Sequence, residues 1–101
     1  MTTHTILVIE DDPAIGQSLL DGLRQHGFNP SLCKTGLGGV EFAQKQTPHL
    51  ILLDVRLPDG SGFDFCRQMR QLGLRQPIIM LTAQDDEVDK VRVWKWARMI
   101  T

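Results

Sequence analysis

Three places in the chain put residues capable of chemistry at the ends of apolar runs. Leu50-Ile51-Leu52-Leu53 leads into Asp54, Thr5-Ile6-Leu7-Val8-Ile9 into Glu10-Asp11-Asp12, and Pro77-Ile78-Ile79-Met80-Leu81 into Thr82. Short apolar runs bounded by turn residues are the pattern of strands buried on both faces, which belong mostly to parallel sheets covered by helices. In open sheets of that kind, ligands bind just outside the carboxyl ends of the strands. A lone Asp in such a place is as readily the start of a polar turn, because Asp is a favoured turn residue. Three such ends together favour chemistry.

If the first and third strands are neighbours, Glu10, Asp11 and Asp54 converge at one edge and Thr82 arrives from the next strand. Two unit charges about 4 Å apart repel by about 4 kcal/mol at an effective dielectric of ~20, so three carboxylates need a counter-charge. A hard divalent cation supplies it, and Mg²⁺ takes carboxylates while keeping positions open for phosphate oxygens. So compensated, Asp54 can attack phosphorus and form an aspartyl-phosphate. The Thr82 hydroxyl could then hydrogen-bond the transferred group.

The rest of the chain supplies the elements that must hold these ends in place. Pro13 suits the first turn of a helix with Asp12 as N-cap, since proline's missing N–H would be unpaired there anyway. Ile15, Leu19, Leu20 and Leu23 form its apolar stripe, and Gly27 is a left-handed cap. Asn29 to Lys34 reads as a second strand. From about Gly36 to Lys45, Leu37, Val40 and Ala43 support a second helix whose start is blurred by Gly36, Gly38 and Gly39. After a Pro58-Asp59-Gly60 turn, Phe63, Cys66, Met69 and Leu72 line one side of a third helix closed by Gly73. A fourth helix is expected from near Asp85 or Asp86, acids favouring a helix N-terminus. Strand and helix thus alternate four times, the pattern of a doubly wound parallel sheet with right-handed crossovers.

Composition excludes several classes. The 101 residues allow one domain, and 42% apolar content with a net charge of −1 describes an ordinary globular chain without the basic run of a nucleic-acid binder. No stretch approaches the ~18 apolar residues of a membrane span, and Met1 to Thr5 lacks the regions of a signal peptide, so a cytoplasmic location is expected. Cys33 and Cys66 have no metal or redox spacing and read as small core residues. His4, His26 and His49 are scattered and read as structural or surface residues.

Ile6-Leu7-Val8-Ile9-Glu10-Asp11-Asp12-Pro13, Leu50 to Gly62 and Pro77-Ile78-Ile79-Met80-Leu81-Thr82-Ala83 together resemble the receiver domain of bacterial two-component response regulators. The resemblance covers residues ~4 to 92, with three motifs in order at the right spacing. It implies a five-stranded flavodoxin-like fold of strand order 2-1-3-4-5, phosphorylated by a sensor histidine kinase. It further implies that Asp54 is the phosphoacceptor, that Glu10 and Asp11 are metal acids, and that Arg56 gives its backbone carbonyl to the metal. Thr82 would be the switch hydroxyl, and Asp12 only a helix cap. The protein would then be a phosphoacceptor, not a turnover enzyme.

The family pattern also implies a fifth strand carrying a lysine, an aromatic switch residue and a fifth helix. After Asp89-Lys90-Val91-Arg92 this sequence instead reads Val93-Trp94-Lys95-Trp96-Ala97-Arg98-Met99-Ile100-Thr101, and neither Lys90 nor Lys95 replaces that lysine. Deleting one G from a codon string for the family-like continuation Gly-Leu-Glu-Met-Gly-Ala-Asp-Asp-Tyr-Ile reproduces this tail and then a stop. A frameshifted, incomplete receiver domain over residues 1–101, with strand 5 and helix 5 missing, is therefore expected. The alternative is an amphipathic helix end with Trp94 or Trp96 packed on the sheet.

An exposed edge strand would make such a chain prone to self-association and marginally stable. Two further readings follow: an inert, self-associating fragment, and a metal-dependent phosphatase using Asp54. The phosphatase wants a second acid two residues after its nucleophile, where this chain has Arg56. No output or DNA-binding segment is visible, so direct nucleic-acid binding by this chain is not expected.

Overall fold

The computed structural model describes residues 3–81. Thr82, the fourth helix expected from near Asp85 or Asp86, and the tail from Val93 lie outside the described residues.

The element order is β1 (Thr5–Ile9), α1 (Pro13–Gln25), β2 (Asn29–Cys33), α2 (Gly36–Gln46), β3 (Leu50–Asp54), a small β4 (Arg56–Leu57) and β5 (Gly60–Ser61), α3 (Gly62–Gln71), and β6 (Ile78–Leu81). The four main strands are parallel in the order β2-β1-β3-β6. With β6 as the fourth strand expected from the sequence, this is the 2-1-3-4 portion of the flavodoxin-like order.

Continuous apolar runs suit β1 and β3 because each strand is buried on both faces, and successive side chains supply opposite layers. Ile6, Val8, Leu50, Leu52, Ile79 and Leu81 meet Leu19, Leu20 and Leu23 of α1. Leu7, Ile9, Ile51 and Leu53 meet Val40 and Ala43 of α2 and Phe65 and Met69 of α3. One helix therefore covers one face and two cover the other.

The start of α1 is as its sequence dictates. The Asp12 carboxylate accepts from the N–H groups of Ala14 (2.9 Å) and Ile15 (3.1 Å), with Pro13 in the first turn. Its end is a Schellman motif. Gly27, at φ 85°, donates to the Arg24 carbonyl, and Phe28 donates to that of Leu23. Cys33 and Cys66 are half-buried free thiols packed against the second layer. His49 Nδ1 accepts from the Thr5 N–H at 2.9 Å, and His26 Nδ1 lies 3.0 Å from the Gly22 carbonyl, so both have structural roles.

The face of α3 departs from expectation in part. Phe63 and Leu72 are 55% and 48% exposed, whereas Met69 is buried with Gly62 and Phe65, and Cys66 is half-buried. Three-residue spacing is the cause. Each step of three turns an α-helix by about 300°, so a series of such steps drifts roughly half-way round in nine residues. The buried face of α3 instead follows four-residue steps from Phe65 to Met69.

Candidate metal and phosphoryl site

Register builds the site. Ile9 of β1 lies opposite Leu53 of β3, so Glu10 and Asp54, the next residues on each strand, emerge side by side at the carboxyl edge. Asp54 itself is opposite Leu81 of β6. Backbone bonds carry the pairing to this edge: the Glu10 N–H donates to the Cys33 carbonyl (3.0 Å) and the Val55 N–H to that of Leu81 (3.1 Å).

Carboxylate oxygens of Glu10, Asp11 and Asp54 all lie within 4.8 Å of one another, so the three expected acids are brought together. Glu10 is 4% and Asp54 7% exposed, the two buried polar residues of the described chain, while Asp11 faces solvent. Asp12 is set apart as the α1 cap, and its N–H donates to Glu10 Oε2 at 3.3 Å. The Arg56 N–H donates to Asp54 Oδ1 at 3.2 Å, which holds the carboxylate by backbone while the Arg56 side chain remains exposed.

Burial pushes the Glu10 carboxyl up to about 8, and a hydrogen bond to Asp54 and the Asp54 charge add to the rise, against the opposing Asp12 N–H. Mutual repulsion of buried carboxylates is thus a property of this geometry, and it favours any partner that brings positive charge. The donors are all hard oxygens, so the cluster suits a divalent cation of the Mg²⁺ type better than a softer metal.

Two further residues shape the edge without being evident as site residues in the sequence. Gly62 lies against the backbone of Asp54 and Val55, where a Cβ would overlap the Asp54 carbonyl oxygen, and its N–H donates to the Val55 carbonyl at 2.7 Å. Asp59, at the turn of the small β4–β5 ribbon, reaches the start of α2 and accepts from the N–H groups of Gly36 (2.8 Å) and Leu37 (2.9 Å). Both fall within the Leu50 to Gly62 motif, whose sequence assigns neither of them a part in the site.

Residues 6–98 match the family model described as the response regulator receiver domain. The chain belongs to that family. The match runs to residue 98, past Arg92, the limit of the resemblance carried by the sequence motifs. Among the relatives of this receiver domain are the transcriptional regulatory protein CreB of Escherichia coli, 40% identical over 91 residues, and the alkaline phosphatase synthesis transcriptional regulatory protein PhoP of Bacillus subtilis, 41% identical over 86. The matches cover 90% and 85% of this chain but 40% and 36% of those relatives, so the chain spans well under half their length.

Solved receiver structures agree in fold. A CheY-like receiver domain from Methylobacillus flagellatus superposes with a TM-score of 0.84 at 15% identity, covering 99% of this chain and all of that one. The MaeR response regulator bound to beryllium trifluoride superposes with a TM-score of 0.75 at 29% identity, covering 92% of this chain and 77% of that one. Among the described residues no helix is long and apolar enough to cross a membrane.

Proposed function

We propose that this receiver domain accepts a phosphoryl group on Asp54 from a sensor histidine kinase, in a Mg²⁺-dependent phosphorelay. The observation that carries the reading is the placement of a buried strand-end carboxylate, Asp54, within 4.8 Å of the carboxylate oxygens of Glu10 and Asp11.

In this reading Asp54 attacks phosphorus with one carboxylate oxygen as the bond from phosphorus to the kinase's histidine nitrogen breaks and the imidazole leaves, while the Arg56 N–H bonded to Oδ1 fixes the carboxylate's orientation. Glu10, Asp11 and Asp54 would hold the cation, and by the family motif Arg56 would contribute its backbone carbonyl. Mg²⁺, when bound, would offset the charge on the equatorial oxygens of the transferring group. Burial of Asp54 limits access of water to the acyl phosphate. Thr82, the first residue after β6 in sequence, is assigned the switch hydroxyl on the strength of the family motif.

The chain then acts as a phosphoacceptor, not as a turnover enzyme, in the cytoplasm where sensor kinases deliver phosphate. Since the similar CreB and PhoP are named as transcriptional regulators, the phosphorylated domain would serve the control of transcription.

Beryllium trifluoride, the ligand of the similar MaeR structure, provides the test. Fluorine NMR of this chain with beryllium fluoride and Mg²⁺ should show a bound signal that is absent with chelator and in Asp54→Ala. A folded chain with no bound signal in Mg²⁺ would overturn the assignment.

A further inference from the structure

The segment that follows Asp54 is fastened at both ends. At its base Gly62 sits against the Asp54 and Val55 backbone, with the Gly62 N–H bonded to the Val55 carbonyl. At its tip Asp59 accepts two backbone N–H groups from α2, 23 and 22 residues away in sequence. Between them the β4–β5 ribbon pairs Arg56 with Ser61 and Leu57 with Gly60.

The first N–H groups of any α-helix lack partners within the helix, and a negative charge is favoured beside them. In α2 the first three are all accounted for: Gly36 and Leu37 donate to Asp59, and Gly38 donates to Thr35 Oγ1. Thr35 alone is the local cap. Asp59 therefore adds a long-range tether, and its carboxyl is held below the usual carboxylate range by those backbone donors.

The geometry points to Asp59 as a positioning residue for the metal site. Its two bonds to α2 hold the ribbon so that Arg56 presents its backbone to Asp54 and to the cation. This rests on the Mg²⁺ reading of Glu10, Asp11 and Asp54. Asp59 is itself no part of the cluster of Glu10, Asp11 and Asp54. It acts through the three residues Arg56, Leu57 and Pro58 that separate it from Val55.

Calorimetric titration of Mg²⁺ into the full chain and three variants tests the inference, well below each variant's melting temperature. Asp59→Ala removes both acceptors and should weaken Mg²⁺ binding by about tenfold, the scale seen when residues outside the immediate ligands of a metal are lost. Asp59→Asn keeps one carbonyl-type oxygen for one of the two donors and should fall between Asp59→Ala and the unsubstituted chain. Leu20→Ala loosens the opposite face of the sheet and should lower the melting temperature without changing Mg²⁺ affinity.

Equal Mg²⁺ affinity in Asp59→Asn and the unsubstituted chain would overturn the tether. An equal loss in Leu20→Ala would do so too, by showing that affinity merely follows stability. If the unsubstituted chain binds no Mg²⁺, the metal reading itself fails and the tether's role falls with it.

Discussion

At the scale of residues, the site is a contest between burial and charge, and Glu10 records it. Its carboxyl, raised from 4.5 to about 8, binds more protons in the folded chain than in the unfolded chain across that window. Stability of the metal-free chain should therefore be full below pH ~4.5 as far as Glu10 is concerned, and fall as pH rises toward ~8, each unit of the rise corresponding to about 1.4 kcal/mol. Urea unfolding in chelator between pH 5 and 8.5 should show this decline. Glu10→Gln should flatten it and raise stability at pH 8, yet lose Mg²⁺ binding. A Glu10→Gln chain with the same pH slope would assign the slope to other groups. Asp59 contributes with the opposite sign. Its lowered carboxyl supports stability above the ordinary Asp value of 3.8, and that support is lost as pH falls through the lower folded value.

At the scale of elements, caps and close approaches decide where each piece begins. Removing the α1 cap with Asp12→Ala should cost about 1 kcal/mol in chemical denaturation and leave Mg²⁺ binding intact, because Asp12 serves the helix through Ala14 and Ile15. Gly62→Ala should cost more, about 1 to 3 kcal/mol or above, since its Cβ would strike the Asp54 backbone, which has little room to yield. It should also disturb Mg²⁺ binding, which separates it from Asp12→Ala. The sequence carried the strands and the α1 cap plainly, because an apolar run ending in acid and an Asp-Pro start are local signals. On α3 the series Phe63, Cys66, Met69 and Leu72 does not keep to one side, and Phe63 and Leu72 are exposed. Repeated three-residue steps drift around a helix, and only the packing partner shows which residues of such a series turn inward. The link from Asp59 to α2 was illegible for a different reason: it joins residues 22 and 23 positions apart with no periodicity to announce it.

For the whole molecule, two apolar layers on opposite faces of one parallel sheet stabilise the fold that carries the strand ends. Leu52 is fully buried in the layer under α1 and Leu53 in the layer under α2 and α3. Leu52→Ala should cost about 2 to 5 kcal/mol in urea unfolding, a large share of a typical 5 to 15 kcal/mol. A loss well under ~1 kcal/mol would mean that this layer is not tightly packed around Leu52. The convergence of Glu10, Asp11 and Asp54 could be inferred from the sequence only on the condition that β1 and β3 are neighbours, and the register of Ile9 with Leu53 meets that condition. If the assembled acids make Asp54 a phosphoacceptor, the intact mass of the chain after incubation with Mg²⁺ and acetyl phosphate should differ from that of Asp54→Ala treated alike. A gain of one phosphoryl group, ~80 Da, that requires both Mg²⁺ and Asp54 is the predicted result. No gain in a sample shown by circular dichroism to be folded, or an equal gain in Asp54→Ala, would contradict it.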